Sequence, residues 1–267
     1  MRKMSCEMKI NRELDKFLQI EDEELTNCNK IYNEKLLESF HRFVSRKLEQ
    51  GSFSRYVRYY GHLAEKKEIL EAIVKKTKPL RILDAGCGVG PESLLFGLFG
   101  AEVIGVDLIP ERLKLAVERK KFFESLLGDH LSIHFLNRDV FEVIQNQKFN
   151  AIWLREAISH IHPLEEFLDK LYQIMELGAE IYISDTNWSN PINKVRLIRN
   201  YWRRYKFFHR LGEAGTFFVH SKYYDPVSGQ SVRMVEERLF TLWKTQKLLR
   251  QAKFKIVQAR TIGILPK

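Results

Sequence analysis

Ile82-Leu83-Asp84-Ala85-Gly86-Cys87-Gly88-Val89-Gly90 ends a short apolar run and opens a stretch of helical periodicity. Its three alternate glycines let a chain turn sharply from strand to helix and bring bare backbone close to a ligand. A dinucleotide site has GxGxxG, with the pyrophosphate on the helix N-terminus. Here the spacing is GxGxG, Pro91 stands where the third glycine of that pattern would fall, and Asp84 precedes the first glycine. A carboxylate at that place repels a pyrophosphate and suits a ligand with a cationic end.

Outward from this loop, apolar runs at 81–84, 102–107, 132–137, 151–154 and 180–184 alternate with amphipathic stretches at 92–99, 110–127 and 164–177, the last followed by Gly178 as a helix C-cap. Such alternation predicts βαβ units and an α/β fold, a doubly wound, mostly parallel Rossmann-like sheet. After Asp185 it is interrupted. A helix is expected over 191–211 and a turn at Asp225-Pro226-Val227-Ser228-Gly229, so 186–230 reads as a helical cap inserted after the fifth strand. A strand at 231–240, a helix at 241–252 and a strand at 254–262 follow, and are expected to close the sheet with an antiparallel edge. Upstream, Leu14, Phe17 and Leu18, then Leu36, Leu37, Phe40, Phe43 and Val44, recur at helical spacing. Residues 11–78 therefore read as helical, broken at 51–54, with the last helix over 63–76. The expected division is a helical N-terminal extension at 1–62 and an α/β domain at 63–267.

At 267 residues with 45% hydrophobic and 29% charged side chains, the chain can bury a large core, which excludes disordered and fibrous classes. No run of about 18 apolar residues occurs, and Arg2, Lys3, Glu7 and Lys9 lead into no apolar segment, so a cytoplasmic protein is expected. Cys6, Cys28 and Cys87 are odd in number and lack CxxC spacing, which argues against a disulfide framework or a zinc knuckle. Charge is divided unevenly: 81–190 hold 10 basic and 17 acidic residues, whereas 191–267 hold 17 basic and 4 acidic. The acidic middle suits a cationic or neutral ligand, and the basic final quarter an anionic partner or a solvated surface.

The pattern Asp84-x-Gly86-x-Gly88-x-Gly90 resembles the first motif of the class I S-adenosylmethionine (SAM)-dependent methyltransferases. The resemblance covers 63–185 well and 236–262 loosely. It implies SAM as cofactor, with Ala85, Gly86, Cys87 and Gly88 packed against it and Asp84 reaching its methionine part through water. Asp107, 23 residues after Asp84 at the end of the second run, stands where a carboxylate accepts two hydrogen bonds from ribose hydroxyls. Leu108 supplies an apolar wall to the adenine. Asp139 resembles the family's acid that receives the adenine amine, with the Val140 backbone beside it. Arg155, ending the fourth run, is counted with the cofactor-binding residues.

Glu156-Ala157-Ile158-Ser159-His160-Ile161 is similar to the ExxxHI stretch of small-molecule members of the family. This makes His160 and Glu156 the catalytic candidates, since an imidazole with a reference pKa of about 6.5 can take a proton from an acceptor hydroxyl or amine. The alternative, that both hold the loop and cap the next helix, stays open. In a branch resembling the ubiquinone-pathway O-methyltransferases a second Glu precedes the His and a metal can be used. Ser159 occupies that place here, so no metal is expected.

The acceptor is expected to be a small or amphiphilic molecule methylated on O, N or C. The stretch 194–210 has seven basic and no acidic residues, and on a helix Ile198, Tyr201, Trp202, Tyr205 and Phe208 share one face. Such a cap covers the site mouth, lies peripherally on an anionic membrane surface, or meets RNA phosphates. Arg155-Glu156-Ala157-Ile158 lacks the Asn/Asp-Pro-Pro-(Tyr/Phe) loop of amino-methylating nucleic-acid enzymes, which ranks RNA below a small acceptor. A non-catalytic scaffold retaining the fold is the third reading. Tyr56, Tyr59, Tyr60, His62, Trp188 and the segment 216–218 are candidates to line an aromatic acceptor pocket.

Overall fold

Strand β1 (Arg81–Ala85) runs through the centre of a parallel sheet in a computed structural model that describes residues 5–49, 55–145, 147–185, 208–211, 217–225 and 230–260. Before it come α1 (Cys6–Ile31), α2 (Glu34–Glu49) and α3 (Arg55–Lys75). After it come α4 (Pro91–Leu98), β2 (Glu102–Val106), α5 (Pro110–Leu127), β3 (Ile133–Leu136), α6 (Val140–Val143), β4 (Phe149–Arg155), a 3-10 turn at Ile158–His160, α7 (Leu164–Ile174) and β5 (Met175–Ser184). The strand order is β3-β2-β1-β4-β5, all parallel. The five expected strands and their doubly wound order are present.

Each central strand is apolar on both faces, as a sheet covered on both sides requires. Ile82, Val103, Ala151 and Trp153 pack toward α1, α3 and α4, where Leu14, Phe17, Ile69, Leu70, Leu94 and Phe96 are buried. Their sequence neighbours Leu83, Ile104, Ile152 and Leu154 point to the other face and meet Phe167, Leu168 and Leu171 of α7. The period of two thus divides one chain between two half-cores. Asp84 pairs in register with Gly105 and Trp153, which brings the ends of β1, β2 and β4 to one level.

The N-terminal helices share this core. The 62/63 division falls inside α3, which is continuous from Arg55 to Lys75, and α1 buries Ile10, Leu14, Phe17 and Leu18 with the sheet residues. A third cluster joins Cys28, Tyr32 and Phe40 of α1 and α2 to Leu115 of α5 and to Val89 of the glycine loop.

Four expectations are corrected. Helix α7 ends at Ile174, before 177, and Gly178 is a left-handed residue (φ 80°) inside β5 rather than a helix cap; it sits where the β4–β5 register shifts. The inserted segment carries an antiparallel sheet of β6 (Phe208–Leu211), β7 (Phe217–Asp225) and β8 (Gln230–Leu239), so the helix expected over 191–211 is a strand at 208–211; residues 186–207 lie outside the described residues. Strand β8 fulfils the expectation at 231–240 but pairs with β7, its neighbour in sequence, instead of closing the parallel sheet. Helix α8 (Leu242–Gln251) follows as expected, whereas 254–260 forms no strand and 261–262 lie outside the described residues. Phe254 packs edge-on against Tyr172 of α7 at 5.5 Å, and Arg260 donates to the Ala64 carbonyl and pairs with Glu68, which ties this segment to helices rather than to a strand edge.

Candidate functional site

The order β3-β2-β1-β4-β5 reverses direction at β1 and β4, and the crevice beyond the carboxyl ends of such strands is where α/β sheets hold ligands. The glycine loop lies there. Gly86, Gly88 and Gly90 all have positive φ (78°, 56° and 75°), a path closed to most side chains. The amides of Gly86 and Cys87 both donate to the Val106 carbonyl, at 2.8 and 3.0 Å, which fixes the loop to the end of β2. Gly90 caps α4 and Pro91 opens it, so the helix N-terminus follows directly.

Asp107 is the organising carboxylate. It is buried, and its Oδ2 accepts from the Gly88 amide at 2.9 Å while Oδ1 accepts from the Ile109 amide at 2.8 Å. Each oxygen keeps a second lone pair, the capacity a vicinal diol needs. Arg112 stands 3.8 Å from Oδ2. Asn137 donates to the Asp107 carbonyl at 3.0 Å and so joins β3 to the same point. Leu108, next to Asp107 in the chain, is exposed and so open to a flat ring laid against it. Asp139 caps α6 by accepting from the Phe141 amide at 2.9 Å, with Val140 next to it in the first turn.

Asp84 lies deeper, only 2% exposed, where the Ser93 hydroxyl donates to it at 2.6 Å. Burial, then the nearby Glu92 carboxylate, pushes its pKa up to about 7. A cation arriving beside it is therefore electrostatically welcome. Ala85 is buried in the sheet, and the Cys87 thiol is also buried, its pKa raised by desolvation.

A network not read from the sequence borders these acids. Lys66 of α3, 2% exposed, pairs with Glu65 at 2.7 Å and Glu92 at 3.4 Å, and Arg155 reaches the same two carboxylates at 3.0 and 3.1 Å. Ser184 donates to Glu65 at 2.5 Å. Burial alone would raise the Glu65 pKa, but Lys66 and Arg155 hold it down to about 2. Arg155 thus ties α3 to α4 and to the end of β4. The signal lay in α3, where Glu65, Lys66 and Ile69 share a buried face, but which partner they meet depends on a chain segment remote in sequence.

Beyond β4, Glu156 has φ 49° and donates its amide to the Ser184 carbonyl at 2.8 Å. A left-handed non-glycine residue beside a crevice stores backbone strain where a site would use it. His160 ends the 3-10 turn, its amide bonded to the Ala157 carbonyl. Desolvation, then the charges of His162 and Arg112, lowers its pKa below the usual 6.5, so the imidazole is neutral near pH 7. Among the described residues no cluster of His, Cys, Asp and Glu is arranged to hold a metal ion. Of the aromatic candidates, Tyr59 and Tyr60 stack edge-on at 5.3 Å and His62 meets Phe17 in the core at 5.7 Å. Trp188 and residue 216 lie outside the described residues, as do the side chains of Tyr56, Phe217 and Phe218.

These residues fit SAM on their own chemistry. A Cβ built on Gly88 meets nothing within 4 Å, leaving open space over the loop; Asp107 retains acceptors for a ribose; the buried Asp84 carboxyl suits a cationic methionine end.

A family model described as a methyltransferase domain matches residues 53–227, well over half of the chain. The mitochondrial ubiquinone biosynthesis O-methyltransferase of Rattus norvegicus is 28% identical over 113 residues, 42% of this chain and 32% of that protein. That of Homo sapiens is 31% identical over 115 residues, 41% and 30% of the two chains. The match therefore spans about a third of the length of these curated relatives. A solved SAM-dependent methyltransferase from Methanosarcina mazei is similar with a TM-score of 0.49 and 18% identity, over 71% of this chain and 85% of that one. With the sheet order, the acid–glycine loop and the match over 53–227 together, the chain belongs to the methyltransferase-domain family, the class I SAM-dependent methyltransferases.

Proposed function

We propose that this protein transfers a methyl group from SAM to a hydroxyl oxygen of a small, amphiphilic acceptor, and that Gly86–Gly90 with Asp107 holds the cofactor. The observation that carries the reading is the Asp107 carboxylate, pinned by the Gly88 and Ile109 amides with a lone pair left on each oxygen. SAM, when bound, supplies a methyl carbon already activated by a sulfonium. The protein then has to bind, orient and exclude water, because an in-line displacement gains most from positioning. Asp84 would attract the cationic end, Leu108 would cover the adenine, and Asp139 would accept from its amine.

His160, neutral near pH 7, accepts the acceptor hydroxyl proton on a ring nitrogen as the oxygen–carbon bond forms. Oxygen is favoured as the acceptor atom because the curated relatives are named O-methyltransferases. Ser159 stands where a second carboxylate would be needed for a metal, which favours a base-assisted route. A cytoplasmic setting, peripheral at an anionic membrane, accords with an amphiphilic acceptor and the basic stretch 194–210; no described helix is long and apolar enough to cross a membrane.

Calorimetry with SAM on wild type and Asp107→Asn tests the core of this reading. The variant loses one acceptor toward a diol and its charge, and its affinity should fall on the order of tenfold or more. Equal affinity in the two proteins would remove Asp107 from the cofactor site. A methyl-transfer assay from labelled SAM to phenolic acceptors with and without an alkyl tail then tests the acceptor class, with RNA as the rival substrate.

A further inference from the structure

Arg119 of α5 is 1% exposed, yet it lies behind the glycine loop rather than at the crevice. Its Nε and Nη2 donate to Glu24 of α1 at 2.8 and 3.0 Å, a bidentate pair, and its Nη1 donates to the Val89 carbonyl at 3.1 Å. Glu21 adds a second carboxylate at 3.5 Å, the Tyr32 hydroxyl donates to Glu24, and the Phe43 ring of α2 lies 5.4 Å from the guanidinium. Burial, then the Glu24 charge, raises the pKa of Tyr32, so the phenol stays a donor. Val89 itself packs among Cys28, Tyr32, Phe40 and Leu115.

We propose that the buried Glu24–Arg119 pair positions the glycine loop for the cofactor, so that docking of α1 and α2 and binding of SAM stabilise each other. The inference rests on the reading of Gly86–Gly90 as the cofactor loop. Its physical ground is the planar fork of arginine: two donors of one edge fixed on one carboxylate determine where the third donor points. That donor meets the carbonyl between Gly88, whose amide holds Asp107, and Gly90, which caps α4. The loop is thus held from the ribose side by Asp107 and from behind by a side chain whose orientation α1 sets. Water cannot substitute, because both partners are buried and removing either leaves a buried charge without its bidentate partner. Arg119 acts through the loop and is a positioning residue.

Hydrogen exchange on the full chain, with and without saturating SAM, tests the coupling in wild type without any variant. Binding should slow exchange in α1 around Glu21 to Cys28, remote from the crevice, by the reciprocity that any coupling requires. Arg119→Lys keeps a charge on Glu24 but cannot bridge to Val89; its SAM affinity should fall about tenfold and its α1 exchange should no longer respond to SAM. Asp107→Asn should weaken binding while leaving α1 exchange without SAM as in wild type. Unchanged α1 exchange in wild type on SAM binding, or folded Arg119→Lys and Glu24→Gln proteins that bind SAM as wild type does, would overturn the proposal. A wild type that binds no SAM would instead sink the cofactor reading, and this inference with it.

Discussion

Asp84 shows how one buried carboxyl links stability to pH. Its folded pKa of about 7 lies above the ordinary value of 3.8, so the folded state holds the proton more tightly than the unfolded chain. The stability it contributes is full below the unfolded value and is lost as pH rises toward 7. His160, with a lowered pKa, acts in the opposite sense near 6.5, so the comparison is wild type against Asp84→Asn. Between pH 5 and 7, roughly, the thermal midpoint of wild type should fall relative to that of the variant; parallel pH profiles would show that Asp84 ionises normally. His160→Ala should lower kcat by about 10²-fold or more and leave SAM affinity unchanged, as steady-state kinetics and calorimetry would show. Asp84, Asp107 and the three loop glycines were legible from their spacing, because type and distance along the chain suffice there. The Glu65–Lys66–Glu92–Arg155 network was not, because its members lie in three separate elements and charged residues in a helix look alike whether solvated or buried.

At the scale of elements, the glycine loop is constrained by what lies over it. A Cβ on Gly90 would come within 2.7 Å of the Phe135 ring of β3, at a φ of 75° that L side chains avoid. Overpacking and the left-handed conformation together should make Gly90→Ala less stable by about 2–4 kcal/mol, read from the urea midpoint. The helix over Pro110–Leu127 agrees with expectation to the residue, opened by Pro110 and closed by the left-handed Gly128. Elements near a glycine were misjudged in one case. Gly178 signals a left-handed residue, and both a helix C-cap and a bulged strand need one; only the pairing of β5 with β4 selects the strand. The inserted segment teaches the same lesson, since the pattern read as helical at 208–211 is held as a strand by β7.

For the whole molecule, the N-terminal helices are part of the sheet's core. Ile10, Leu14, Phe17, Leu18 and Ile20 of α1 are each at most 5% exposed. At about 2 kcal/mol for each buried side chain their removal costs about 10 kcal/mol, comparable with the net stability of a typical domain. Deleting residues 1–32 should therefore abolish the cooperative thermal transition; a truncated protein that melts sharply would mean that the α/β part folds alone. The doubly wound sheet and the strand-to-helix turn at Gly86–Gly90 are legible in the sequence, because hydrophobic period and glycine–acid spacing are local properties that few other structures satisfy. That α1 shares the core, that Arg119 joins Glu24 to Val89 across 95 and 30 residues of chain, and that β8 pairs with β7 emerge on folding alone. Those outcomes depend on which buried charges and strand edges meet in space, and a partner's identity is not encoded in the pattern of either segment alone.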